Sequence, residues 1–397
     1  MVDAQPATRL STADIRAANV AAVCGLLRAR GALTRAELVR ESGLARPTVM
    51  AIVQRLLADG LVVESGVSPV SATGGRPGSL LHFRPNARVI AAVRFVDGRV
   101  EVVLADAAGT VLASRVAPPV PEAGTWTALV ASFAEQIRDL CGAHPDLGPL
   151  ASVAVSLPGA VDRVRGLWTL PRRPGWHDLP LGDALTAELG VPVAVVNVVA
   201  AGLIGQLLRE PSHAGSAALV YLGTGVGSAA TVNGRLIDGA TGSAGELGHC
   251  VLPGLDRRCR CGRRGCVEAV TAAPYLRREY RRRTGRAAPA TLVEMEHDDA
   301  ALDLLRTAAD RLALATSWLV NIVNPAVVYF GGNAFTDGST VFLDHFTRRL
   351  RTLAYGSNAR DLTVLAACSD ATVAGGLHLA AELLPDSLRP DLRVADR

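Results

Sequence analysis

The sequence contains no lysine: all 41 of its basic residues are arginine. Together with the abundance of alanine, this reads as the codon bias of a GC-rich genome, so arginine richness alone does not point to nucleic acid. Aromatic residues make up only 4% of the chain, so the core must be built mostly from Ala, Val and Leu. No apolar stretch reaches about 18 residues without a charge or a glycine turn, so no membrane span is expected. The N-terminus lacks a basic start followed by an apolar run, so no signal peptide is expected and the chain reads as cytoplasmic. Thiols are mostly reduced in that compartment, so a tight cysteine cluster favours metal over disulfides.

The chain has 397 residues, 49% hydrophobic and 20% charged, enough for two or three globular domains. Its charge is uneven. Up to Pro85, ten arginines stand against six carboxylates; beyond it, 31 stand against 31, so the whole formal charge of +4 sits in the N-terminal fifth. A basic small domain on a neutral large one points modestly to nucleic acid.

Residues 14–60 read as three helices. The first stops at Gly31. The second opens at Thr34 with Glu37 three residues later, a capping box, and ends at Gly43; the third runs to Gly60. Two short helices joined by a glycine turn are the helix-turn-helix signature, and two β-like runs, "LVVES" and "SLLHFRP", would make a wing. In such a module the start of the last helix meets the major groove. Here Arg46 and Thr48 are the first candidates for base or phosphate contact, with Gln54 and Arg55 further along. Val49, Ile52, Val53 and Leu56 should face the module's own core. Arg76 on the glycine-flanked wing tip suits a minor groove. The alternative is a dimerisation or scaffold module.

From about residue 86 the pattern becomes α/β with mixed sheets in two lobes. Three antiparallel strands are expected with turns near Asp97-Gly98 and Ala108-Gly109. Helices are expected at 125–142, 180–189, 198–209, 273–283, 300–323, 340–354 and 371–384, and no short-period repeat stands out. Between them, "HCVLPGLDRRCRCGRRGCVE" gathers His249, Cys259, Cys261 and Cys266. One histidine and three thiolates satisfy a tetrahedral Zn²⁺ with no open position, a structural rather than catalytic site. The spacing does not match a DNA-reading finger, nor the Cys-x-x-Cys of a redox site. Unligated structural cysteines are the remaining alternative.

"GELGHC" at 245–250 and "CRCGRRGCVE" at 259–268 resemble the signature of the ROK family of repressors, open reading frames and sugar kinases. "SLPGAVD", "LGTGVGSAATVNGRLIDGATG" and "NPAVVYFGG" are similar to other loops of that family. The resemblance spans roughly residues 10–385, since ROK repressors also carry an N-terminal winged helix. It implies an actin-like, ribonuclease-H-like two-lobed sugar-kinase fold in which the zinc braces a sugar-binding loop. It implies sugar contacts at Asn197, Glu246, His249 and Glu268, with His249 giving one ring nitrogen to zinc.

The departures from the family bear on catalysis. Val198 stands where the family's catalytic aspartate follows Asn197, and an isopropyl group cannot accept a proton. Arg94, in "RFVDG", replaces the acid of the first phosphate loop, and that loop's double glycine is missing. The second phosphate loop survives as "GTGVG" at 223–227. Gln206 replaces a glutamate. Arg172 and Arg173 lie in a loop that resembles one lining the family's cleft and would suit an anionic effector.

The combined expectation is a winged helix-turn-helix over 1–85, a first lobe over 86–196 and a second over 197–397, its C-terminal helix returning to the first lobe. The function expected is non-enzymatic: a transcriptional regulator, expected to act as a repressor on operator DNA as a homodimer or homotetramer. A sugar or sugar-phosphate effector would bind the cleft, with structural Zn²⁺ as the cofactor. The rivals are a sugar kinase with an appended DNA-binding domain and a ligand-independent DNA-binding protein.

Overall fold

The computed structural model describes residues 12–67, 78–119, 125–170, 176–289, 291–334 and 341–385. At the N-terminal end, α1 (Thr12–Arg30) leads through β1 (Ala32–Thr34) into α2 (Arg35–Ser42) and α3 (Arg46–Ala58), followed by the antiparallel β2 (Val62–Val67) and β3 (Ser79–Phe83). The capping box forms: Glu37 N–H donates to Thr34 Oγ1 at 3.3 Å, and Thr34 N–H donates to the Glu37 carboxylate at 2.7 Å. Gly43 closes α2 in the left-handed conformation, at φ 66°. Val49, Ile52, Val53 and Leu56 are buried, together with Leu27, Leu38 and Leu81. β1 pairs with β3, so the small sheet has the order β1-β3-β2. Three residues are too few to show a period, which is why this strand is invisible in the sequence.

The body begins with β4 (Val89–Val96), β5 (Arg99–Asp106), β6 (Val111–Val116), α4 (Trp126–Gly142) and β7 (Leu150–Leu157). A small hairpin of β8 (Ala160–Asp162) and β9 (Leu167–Leu170) follows, then α5 (Leu181–Leu189), β10 (Val193–Asn197) and α6 (Val198–Arg209). The sheet order is β10-β7-β4-β5-β6, with the first three strands in sequence antiparallel and the last two parallel.

The second lobe has β11 (Ala217–Leu222), β12 (Val226–Val232), β13 (Arg235–Leu236), α7 (Val267–Thr271), α8 (Ala273–Thr284), α9 (Leu292–Glu296), α10 (Asp299–Val323) and β14 (Val327–Gly331). It ends with α11 (Val341–Leu353), α12 (Gly356–Arg360), β15 (Thr363–Ala366) and α13 (Ala371–Glu382). Its sheet order, β13-β12-β11-β14-β15, repeats that of the first lobe strand for strand. One unit is therefore used twice, giving the two-lobed α/β architecture that the resemblance implies. The helices α7, α9 and α12, at five residues each, fall below the length at which helical periodicity is legible.

Two helices join the lobes. α6 begins at the end of the first sheet yet packs on β11 and β12, while α13 returns to lie on β4 and β7. They cross through glycine: a Cβ on Gly205 would stand 1.9 Å from the Ala371 carbonyl oxygen, and one on Gly375 would stand 1.9 Å from that of Ala201. No helix among the described residues is long and apolar enough to cross a membrane.

Candidate functional site

The strand ends of both sheets open into one cleft of about 730 Å³ between the lobes. Position 98 is a glycine after a positive-φ aspartate, so β4 and β5 turn back tightly and bring Asp97 to the cleft. Asn197, the last residue of β10, caps α6: its Oδ1 accepts the Val199 and Ala200 N–H groups at 2.7 and 3.3 Å, and its Nδ2 donates to Gly159 O at 2.7 Å. Val198, the first residue of α6, lines the cleft with an apolar surface. Two tryptophans also line the cleft. Trp168 is fixed by its Nε1–H to Pro158 O at 2.8 Å and meets Phe95 edge-on at 6.0 Å, and Trp176 stands beside it.

The second lobe supplies Thr224, Ser228 and Glu246. His249 lies behind Glu246, its Nε2 3.7 Å from a Glu246 carboxylate oxygen and its Nδ1 3.8 Å from Cys259 Sγ. The four ligand atoms of His249, Cys259, Cys261 and Cys266 fall within 4.8 Å of one another. The loop turns at Gly262 and Gly265, at φ 91° and 76°. Burial pushes the Cys259 thiol up, and pushes Cys266 up to about 12, helped there by neighbouring thiols. Cys261 is held below the usual thiol range: burial opposes this, but the backbone of Arg263 and the adjacent sulfur of Cys259 outweigh it. Such a cluster could hold a metal ion, whose charge would favour all three thiolates.

Of the residues expected to meet a sugar, Asn197 and Glu246 share the cleft and His249 backs onto Glu246. Glu268 sits elsewhere: it is 5% exposed and accepts the Val226 N–H at 3.1 Å, so its carboxylate braces the 223–227 turn from behind. Gln206 is buried and structural, accepting the Cys368 N–H at 3.0 Å. Arg94 lies within β4 and pairs across to Glu101 at 2.7 Å. Arg76, Arg172 and Arg173 lie outside the described residues. In α3, Arg46, Gln54 and Arg55 are exposed and Thr48 is half-buried at the edge of that face; Arg55 also lies 3.7 Å from Asp59.

Sequence reasoning missed the cleft residues Trp168, Trp176, Arg260 and Asp97. The tryptophans carried a signal: the chain has four, and two of them line this cleft.

A family model described as the ROK family matches residues 92–383. The chain belongs to the ROK family. It is 30% identical over 262 residues to the glucokinase of Halalkalibacterium halodurans, covering 60% of this chain and 78% of the relative. It is 25% identical over 348 residues to the putative xylose repressor of Caldicellulosiruptor sp., covering 81% and 84%. Its fold is similar to that of a ROK family transcriptional regulator, a homologue of the E. coli Mlc protein. There the TM-score is 0.72 and the identity 22%, over 94% of this chain and 98% of that one. Kinases and repressors both stand among the relatives of this ROK protein, so the choice between them rests on its own residues.

Proposed function

We propose that this ROK protein is a DNA-binding transcriptional repressor whose two-lobed body senses a sugar or sugar phosphate without phosphorylating it. The observation that carries the reading is the N-terminal unit of three helices and a three-stranded sheet ahead of the lobes. We assign it, over 1–85, as a winged helix-turn-helix, with lobes over 86–196 and 197–397. The exposed start of α3 would enter the major groove, with Arg46 and Thr48 leading and Gln54 and Arg55 following, and with Arg76 on the wing. A pair of such units in a homodimer, or two pairs in a homotetramer, suits a pseudo-palindromic operator. The likeness to the xylose repressor supports this.

Loss of kinase chemistry is argued from Val198. The cleft lining at the start of α6 offers no proton acceptor at that position, and Arg94, paired with Glu101, is a cation that cannot handle a metal as the acid of the family's first phosphate loop does. The metal is assigned as structural zinc. Tetrahedral Zn²⁺ with sulfur ligands at about 2.3 Å separates those sulfurs by about 3.8 Å, and Cys261 Sγ lies 3.7 Å from Cys266 Sγ. The zinc would hold the loop that aims His249 and Glu246 at the cleft; Asn197, Glu246 and His249 are the assigned sugar contacts, and Glu268 would act indirectly by bracing the 223–227 turn. A ligand releases DNA only if it binds one lobe arrangement better than the other.

The test is a gel-shift assay on DNA from the protein's own promoter region, paired with a coupled ATP-turnover assay over a panel of sugars. Specific binding that weakens about tenfold in Arg46→Ala or Gln54→Ala, roughly the value of one good base contact, together with no turnover, is expected. Turnover that disappears in Glu246→Gln would instead make the chain a sugar kinase with an appended DNA-binding unit. No thermal shift with any sugar at millimolar concentration would make it a ligand-independent DNA-binding protein.

A further inference from the structure

Among the residues lining the cleft, Asp97 and Thr224 meet across the lobe interface. Asp97 and Gly98 make a two-residue turn with both φ angles positive, 55° and 76°. That turn directs the Asp97 carboxylate from the first lobe onto the second. Thr224 Oγ1 donates to Oδ1 and Asn333 Nδ2 donates to Oδ2, both at 2.5 Å. Thr224 belongs to the glycine turn between β11 and β12, and Asn333 follows β14, so both oxygens of one carboxylate are bound across the lobe interface.

A second carboxylate serves the same turn. The buried Glu268 accepts the Val226 N–H from behind, and the Arg260 guanidinium lies 3.8 Å from it while donating to Thr224 O at 3.3 Å. Glycine turns at strand ends gather N–H and hydroxyl donors that suit an anion. Among the described residues, two carboxylates, Asp97 and Glu268, and one guanidinium, Arg260, already serve this turn.

We propose that Asp97 is a built-in anion that engages Thr224 of the 223–227 turn from the opposite lobe and makes the cleft selective for uncharged ligands. A phosphate or pyrophosphate entering there would have to displace Asp97 and would still face Glu268. The open part of the cleft, between Trp168, Trp176, Asn197, Ser228 and Glu246, offers hydroxyl partners and an aromatic wall. That is the chemistry of a neutral sugar rather than a sugar phosphate or nucleotide. The ligand class rests on the effector reading above; the exclusion of anions does not. Because Asp97 also ties the lobes together, a ligand that alters their separation must strain or relax this contact.

The experiment compares the full chain with Asp97→Asn and Asp97→Ala, titrated by calorimetry with inorganic pyrophosphate, D-glucose 6-phosphate, D-glucose and D-xylose. Asparagine tolerates positive φ, so Asp97→Asn keeps the turn and removes the charge, its oxygen still accepting from Asn333 Nδ2 and its new NH2 able to donate to Thr224 Oγ1. The native protein is expected to bind pyrophosphate at least tenfold more weakly than Asp97→Asn, with Asp97→Ala behaving like Asp97→Asn. Equal pyrophosphate binding in the native protein and Asp97→Asn overturns the proposal, as does a native protein that binds glucose 6-phosphate more tightly than glucose. A pyrophosphate gain in Asp97→Asn with no response to either neutral sugar upholds Asp97 as the anion filter and refutes the sugar-effector reading, so the two ideas fail separately.

Discussion

Replacing Gly205 by alanine tests how the two lobes are joined. Inside a helix, alanine is normally better than glycine by about 1 kcal/mol, because it restricts the unfolded chain. At Gly205 the new methyl would lie 1.9 Å from the Ala371 carbonyl oxygen, 2.7 Å from its carbon and 2.8 Å from Gly375 N. All three are backbone atoms, so no side chain can rotate away. Ordinary contact begins near 3.4 Å, so α6 and α13 would have to part by about 1.5 Å in an interior that is already close-packed.

Overpacking of this kind costs about 1–3 kcal/mol. With rigid backbone on both sides the upper end applies, and the gain in helix propensity offsets about 1 kcal/mol of it, leaving a net loss of about 2 kcal/mol. Calorimetric melting is the assay, with an expected fall of about 3 °C for a body of this size. Gly142→Ala, at the end of α4, is the control: its Cβ would meet nothing within 4 Å, so that variant should hold or slightly raise the melting temperature. Equal or greater stability in Gly205→Ala would refute the close crossing. α6 starts at the cleft and α13 lies on the first sheet, so Gly205→Ala also perturbs the link between the two lobes.

Two further outcomes follow from side-chain chemistry. Cys259→Ser should lose bound metal by elemental analysis and loosen the 249–266 loop to protease, while specific DNA binding by the N-terminal unit persists; metal-free native protein would refute the zinc assignment. Glu279 accepts hydrogen bonds from Arg282 and Arg283, which hold its carboxyl at about 2. A depressed carboxylate pKa stabilises the fold fully above the unfolded value near 4.5, and that contribution fades as pH falls towards 2. Glu279→Gln should therefore flatten the acid side of the stability profile between those limits, and an unchanged profile would refute the pairing.

Much of the local structure was legible because it rests on neighbours in sequence. Thr34 and Glu37 sit three apart, so their capping box needs only one helical turn. Val49, Ile52, Val53 and Leu56 repeat at helical spacing, so their burial in α3 could be read directly. Asp97-Gly98 is a hairpin dipeptide whatever surrounds it. Glu268 shows the limit. Its place in the cysteine motif implied a sugar contact, but the direction of its side chain depends on the Val226 N–H, 42 residues earlier. Gln206 likewise could be seen to be unusual, but its partner at Cys368 could not be named.

The sequence by itself determined the longer helices and strand runs, the metal-type cluster and the absence of an acid at position 198, because each depends on residue type and short spacing. Only the tertiary structure decided that one sheet topology is used twice, since strand order follows from hydrogen bonding between distant segments that need not share residues. It alone decided that α6 and α13 cross backbone to backbone. It alone brought Asp97 onto Thr224 and Asn333, 127 and 236 residues away, because such contacts exist only once the lobes have closed on each other.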